Sequence, residues 1–172
     1  MAAHDRPDLA TEEGRLAFIE VLNERLPRKR VIAQGLIRSV RGDFLLCELT
    51  YKREWDLPGG VVDPDESPSQ CVVREVREEL GLHVEARALL AVNWLPPWRG
   101  WSDALSLTFD LGVGADDLPS TARLQPREIR ALHWCGPQEI ARHAAAYNQR
   151  LLAFLGTHAG PTAYLHDSVP AL

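Results

Sequence analysis

The chain has 172 residues, enough to bury one sizeable core and too few for two ordinary domains. A hydrophobic fraction of 45% with 25% charged residues is that of a globular protein and excludes a disordered or fibrous chain. The net charge of −5 excludes a broad basic surface for long nucleic acid, so a small anionic partner would need a metal ion or local arginines to receive it.

Residues 11–25, TEEGRLAFIEVLNER, read as a helix capped by Thr11, with Phe18, Ile19, Leu22 and Leu26 on one apolar stripe. Pro27 and the basic triplet Arg28, Lys29 and Arg30 end it. Two strand-like runs follow, VIAQGLIRSV and FLLCELTY, joined by Arg41-Gly42-Asp43 as a tight hairpin turn. WDLPGG at 55–60 is a breaker cluster leading to a short strand and a second helix. That helix has a clear start: Ser67 caps it, Pro68 suits the first helical position and Gln70 completes a capping-box spacing. Gly81 stops it as a left-handed C-terminal cap.

Further strands are expected at about 83–94 and 104–111, separated by LPPWRGWSD, and at 129–135. A helix is expected from Pro137 to about Leu155, and the proline-broken tail GPTAYLHDSVPAL should cross the surface or pair at a sheet edge. This order suggests an α/β/α sandwich around a mixed β-sheet, with an extra N-terminal helix. The expected organisation is one domain over 1–172: a helical extension at 1–28, a core at 29–158 and a tail at 159–172. Cys47, Cys71 and Cys135 are odd in number and lack C-x-x-C spacing, so buried, reduced thiols are expected rather than a zinc site or a disulfide. No apolar signal core or membrane-length run appears, and a cytoplasmic location without membrane partners is expected.

The informative segment is GVVDPDESPSQCVVREVREELGL, residues 60–82. On a helix over 68–80, Glu75, Glu78 and Glu79 fall at i, i+3 and i+4 and share one face, beside an apolar stripe of Val72, Val76 and Leu80. Like charges at these spacings each destabilise a helix by about 0.2–0.5 kcal/mol, and only Arg74, four residues before Glu78, offsets them within the helix. A bare E-x-x-E-E is compatible with a solvated acidic face. A bound divalent cation would also remove the conflict, and oxygen-only ligation suits Mg²⁺, or Mn²⁺, rather than zinc.

The segment resembles the Nudix box, G-x5-E-x7-R-E-U-x-E-E-x-G-U with U aliphatic. It matches every fixed position: Gly60, Glu66, Arg74, Glu75, Val76, Glu78, Glu79, Gly81 and Leu82. A chance match somewhere in such a chain is on the order of one in ten million, which sets the solvated-face reading aside. The resemblance implies a Mg²⁺-dependent hydrolase of nucleoside diphosphates linked to another moiety, on an α/β/α sandwich. It implies Glu75, Glu78 and Glu79 as metal ligands, with Gly60 letting the backbone approach and offering its carbonyl. Arg74 would orient a carboxylate, Glu66 would hold the loop–helix–loop together, and the base would be Glu78 or a carboxylate outside the box, Glu128 first and Asp103 next.

In the loop NWLPPWRGW, Trp98 or Trp101 could stack on a base and Arg99 meet a phosphate, or the loop could cover a sheet edge or a dimer contact. Trp55, His83, His133 and His143 read as packing residues, and Cys71 as a small packed thiol on the carboxylate edge. The expected substrate is a nucleotide sugar or ADP-ribose-like compound. The alternatives are a damaged nucleoside triphosphate, or, for a non-catalytic module, a sensed nucleotide. The expected partners are this small substrate and, through the N-terminal helix and tryptophan loop, a second copy of the chain.

Overall fold

The computed structural model describes residues 7–172. Its elements run, in chain order, α1 Glu12–Arg25, β1 Arg30–Arg38, β2 Phe44–Leu49, β3 Gly59–Val61, α2 Pro68–Leu80, β4 Ala88–Leu95, β5 Ala104–Val113, α3 Leu118–Thr121, β6 Ile129–Cys135, α4 Pro137–His143, α5 Ala146–Thr157, β7 Ala163–His166 and β8 Val169–Pro170. The strands form one mixed sheet in the order β6-β2-β1-β5-β4-β7-β8, with β3 added beside β1. β1 pairs in parallel with β5, and β4 in parallel with β7, while the other named pairs are antiparallel.

β1 is the pivot because its middle, Ala33–Ile37, is buried without alternation. A strand covered on both faces reads as a continuous apolar run. On one face α2 supplies Val72, Val76 and Leu80 to a core shared with Ala33, Ile37, Phe109 and Leu111. On the other, Leu151, Leu152 and Leu155 of α5 pack against Leu36, Leu46, Ala91 and Leu165. The α/β/α sandwich around a mixed sheet is therefore the observed fold, and among the described residues no helix is long and apolar enough to cross a membrane.

Where the chain order of signals was local, the elements match it. Thr11 caps α1 by accepting from the Gly14 N–H. At α2 the Ser67 side chain accepts from the Gln70 N–H, the Gln70 side chain answers, and Gly81 takes φ 69° as a left-handed cap. The turn at 41–43 places Gly42 at φ 92°, yet β1 and β2 register only at Arg38 and Phe44, because β1 turns to β3 and β5. The strand expected at 83–94 begins at Ala88. Leu82, Val84 and Ala86 do alternate inward against the α2 core, but this stretch joins no ladder.

The expected helix from Pro137 to Leu155 is broken at Ala144 and Ala145, both extended. There Trp55 pairs with Ala144, and the Trp55 N–H takes the carbonyl of His143. The tail does pair at an edge, as β7 against β4. The stripe of α1 faces outward instead of into the core: Phe18, Ile19, Leu22 and Leu26 are all exposed. All three cysteines are free and buried.

The cap of α2 carries a measurable share of stability. Ser67→Ala should lower the unfolding free energy by about 1 kcal/mol in urea titration, with an unchanged denaturant slope.

Candidate active site

The box glutamates are set by the anchoring of α2 from below. Because Val72, Val76 and Leu80 are completely buried, the neighbouring edge of the same helix is pressed toward the turn at 57–60. Glu79 is only 5% exposed, Glu75 is partly buried, and Glu78 stands at the solvent rim. The three carboxylates share an edge as the spacing requires, but they differ sharply in hydration.

Two glycines make room for them. Gly59 has φ 135°, and a Cβ there would lie 2.1 Å from the Ala33 carbonyl oxygen, so a side chain would be doubly excluded. Its N–H donates to Glu79 Oε2 at 3.1 Å. A Cβ on Gly60 would lie 2.4 Å from Glu75 Oε1. The backbone thus passes directly over the carboxylate edge.

Arg74 is the clamp. Its guanidinium donates to both oxygens of Glu66, at 2.8 and 2.9 Å, and also reaches Glu75 Oε1 at 2.9 Å and Glu78 Oε2 at 3.3 Å. The paired bonds from Arg74 hold the Glu66 carboxyl down at about 2. Its partners, Glu66 first, hold the Arg74 guanidinium well above its ordinary value. The loop at 61–67 and the helix are thereby tied through one residue. Burial pushes the Glu79 carboxyl up to about 8 against the Gly59 hydrogen bond, with Glu75, Glu128 and Asp56 adding to the rise. Glu75 is also raised, first by burial and then by Glu78 and Glu128, with Arg74 opposing.

Glu128, exposed at the entry to β6, therefore lies within electrostatic reach of both inner glutamates. The Thr50 N–H donates to its carbonyl and holds its turn against the end of β2. Asp103 is placed otherwise. It ion-pairs with Lys29 and accepts from Trp94 Nε1 at 3.1 Å, and Lys29, then Trp94, lower its pKa. The loop at 95–103 closes on itself, with Trp98 and Trp101 exchanging backbone hydrogen bonds of 3.1 and 2.9 Å. Arg99 stacks on Trp98 and Arg30 on Trp101, with both indoles facing solvent. Neither tryptophan lines the cavity that holds Glu79.

That cavity, of about 100 Å³, is bounded by Gln34, Tyr51, Asp56, Leu95 and Tyr147 as well as Glu79. Asp56 is its organising group and was missed in the sequence. It accepts from Gln34 Nε2 at 2.9 Å, the Leu57 N–H at 2.9 Å, the Tyr147 hydroxyl at 3.0 Å and Asn148 Nδ2 at 2.6 Å, and pairs with the Lys52 ammonium. Burial, then Asp56, hold the Tyr147 phenol well above its ordinary range, so it remains a donor. Trp55, one residue earlier, is stacked between His133 and His143 with centroids 3.9 and 4.0 Å away, which accounts for all three as packing. Burial likewise pushes the Cys71 thiol up to about 12 and leaves it inert.

The chain matches the family model described as NUDIX domain over residues 28–154. It belongs to the Nudix family. A MutT-like protein of Streptomyces ambofaciens is 34% identical over 142 residues, covering 82% of this chain and 86% of the relative. A putative 8-oxo-dGTP diphosphatase of Bacillus subtilis is 32% identical over 124 residues, 72% of this chain and 67% of the relative. Among solved structures, a MutT protein from Methanosarcina mazei superposes with a TM-score of 0.63 at 27% identity, covering 76% of this chain and 95% of that one. A UDP-X diphosphatase reaches 0.66 at 16% identity, covering 90% and 75%, a likeness of fold alone. This Nudix chain is accordingly a hydrolase acting on pyrophosphate bonds, of a family that uses divalent metal ions.

The oxygen-only donors fit a hard dication. Among the described residues, however, no three His, Cys, Asp or Glu side chains converge into a ready cage, since Arg74 holds Glu75 and Glu78 while Gly59 holds Glu79. The raised Glu79 carboxyl gives the protonation test its sign. Below the ordinary value of 4.5, folded and unfolded chains both carry it neutral; between there and about 8 the unfolded chain ionises first, and its contribution to stability is lost as pH rises. Excess Mg²⁺ should therefore raise the thermal midpoint more near pH 8 than near pH 5, and Glu79→Gln should flatten that difference, as read by differential scanning fluorimetry.

Proposed function

We propose that this Nudix hydrolase is Mg²⁺-dependent, with Mn²⁺ as a substitute, and that Glu75, Glu78 and Glu79 with the Gly60 carbonyl hold the ion. The observation that carries the proposal is Glu79, an ionisable group 5% exposed and pushed toward neutrality beside two further carboxylates, which a dication would relieve. Bound there, the ion would neutralise diphosphate charge and make a bound water a better nucleophile.

The chain's own groups divide the remaining work. The Gly59 N–H fixes one oxygen of Glu79, leaving the other free. Arg74 would keep Glu75 turned to the edge until Mg²⁺ is present, and Glu66 would anchor Arg74 to the preceding loop. Glu128, exposed and near both inner glutamates, would accept the proton of the attacking water, with Glu78 as the other base. Asp103 is already engaged by Lys29 and Trp94 and is the weaker base.

For the substrate, the names of the relatives above 30% identity favour the triphosphate reading. They include the putative 8-oxo-dGTP diphosphatase and a CTP pyrophosphohydrolase of Escherichia coli, 34% identical over 93 residues, 54% of this chain and 62% of that relative. We infer a nucleoside triphosphate, cut to a monophosphate and pyrophosphate, with a nucleoside diphosphate linked to a sugar as the second reading. The intact set of box residues favours catalysis over sensing. The outward stripe of α1 would serve a homodimer, its acidic end at Glu12 and Glu13 meeting the partner's Arg25 and Arg28.

On a panel of triphosphates, nucleotide sugars and dinucleotides, Glu79→Gln should lower kcat by on the order of 10²–10⁴, and Glu128→Gln by at least about tenfold with KM little changed. Full turnover by Glu79→Gln, or by metal-stripped protein, would overturn the proposal.

A further inference from the structure

Apart from Leu49, the residue that lines both the Glu79 cavity and a second, outer groove is Tyr51. That groove, of about 420 Å³, is open and carries Lys52, Arg53 and Arg130 against the carboxylate of Glu48. Two of its cations are committed: Lys52 to Asp56 and Arg130 to Glu48. Arg53 is exposed and makes no ion pair among the described residues. Tyr51 is 70% exposed, and its hydroxyl has no hydrogen-bond partner among the described residues. An exposed aromatic face beside an uncommitted guanidinium, at the edge of the cavity that holds Glu79 in a chain of net charge −5, is a combination that suits a flat, anionic ligand.

Size decides what goes where. Small-molecule pockets run from about 300 to 1,000 Å³. The inner cavity of about 100 Å³ falls below that range, and its Gln34 and Tyr147 already donate to Asp56, whereas the outer groove falls within it. The position is also fixed with respect to the chemistry: Thr50, immediately before Tyr51, donates its N–H to the Glu128 carbonyl at 2.9 Å and its hydroxyl to the Arg127 carbonyl at 2.6 Å. The tryptophan loop lacks this connection, and each of its outward rings is already covered on one face by an arginine.

We infer that Tyr51 and Arg53 form the subsite for the nucleoside end of the substrate, the base stacking on the Tyr51 ring and Arg53 meeting the phosphate nearest the ribose. This rests on the nucleotide-hydrolase reading for its substrate class and is separable from it by measuring binding without turnover. Tyr51 and Arg53 thus set specificity, while the glutamates of α2 hold the diphosphate.

The experiment is calorimetric titration of the full chain with α,β-methylene-ATP and, separately, inorganic pyrophosphate, each with Mg²⁺, alongside far-UV circular dichroism. Tyr51→Ala should weaken the nucleotide about tenfold and leave pyrophosphate unchanged; Tyr51→Phe should restore the nucleotide. Arg53→Ala should weaken the nucleotide several-fold and reduce its salt dependence, and Trp98→Ala and Trp101→Ala should stay within about twofold of the parent. Nucleotide binding that survives Tyr51→Ala, falls in Trp98→Ala or Trp101→Ala, or is absent from the parent protein would overturn the inference. The expected pattern in a protein that hydrolyses no nucleotide would uphold the subsite and overturn the hydrolase reading.

Discussion

The structure turns on one carboxylate that has been taken out of water next to others of the same sign. Glu79 cannot move outward, because the helix that carries it is fixed by Val72, Val76 and Leu80 beneath and by caps at both ends. It is largely withheld from solvent, because the turn at 57–60 lies against it and only the small inner cavity reaches it. A protein tolerates such a group only if it is neutral, hydrogen-bonded or matched by a cation. Here all three are in play: the carboxyl is shifted toward neutrality, one backbone N–H reaches it, and the neighbouring geometry suits a dication. The glycine turn, the Arg74 clamp and the burial of the α2 stripe serve to hold that frustrated edge in place.

Arg74 and a metal ion are alternatives for the same oxygens. The guanidinium satisfies Glu66 with a paired contact and reaches Glu75 and Glu78 with its remaining amino group. A compact dication entering beside Gly60 would compete for the last two without disturbing the first. This division explains why the arginine bridges loop and helix: its anchorage on Glu66 is independent of the carboxylates it lends. The opposite wall is organised by a second hub, Asp56, which draws β1, the turn and α5 together around the inner cavity.

What was legible in the sequence was local. Ser67, Pro68, Gln70 and Gly81 define α2 within a few residues of each end, so its bounds and its carboxylate edge followed from spacing alone. The motif marked Arg74 as orienting a carboxylate and Glu66 as holding the loop–helix–loop together, but not that the two pair with each other. The Asp56 hub was invisible because, apart from the nearby Lys52, its donors Gln34, Tyr147 and Asn148 are brought to it only by β1 and α5. The same limit applies to the break at Ala144 and Ala145, which is imposed by Trp55 from a distant loop. For α1, periodicity announced an amphipathic helix without revealing that its apolar stripe would face outward. Trp98 and Trp101 share one loop with Arg99 and so stand out in the sequence, whereas Tyr51 stands alone there and is marked only by its place in the lining of two cavities.

If the inner glutamates share one metal ion, electron paramagnetic resonance of Mn²⁺ detects it without reference to any substrate. Titrated into the protein, Mn²⁺ should lose its free signal until a stoichiometric site is filled, Mg²⁺ should compete it away, and both Glu75→Gln and Glu79→Gln should abolish the site while folding persists. Mn²⁺ bound equally well by those variants would place the ion elsewhere and leave the buried carboxylate edge without its cation.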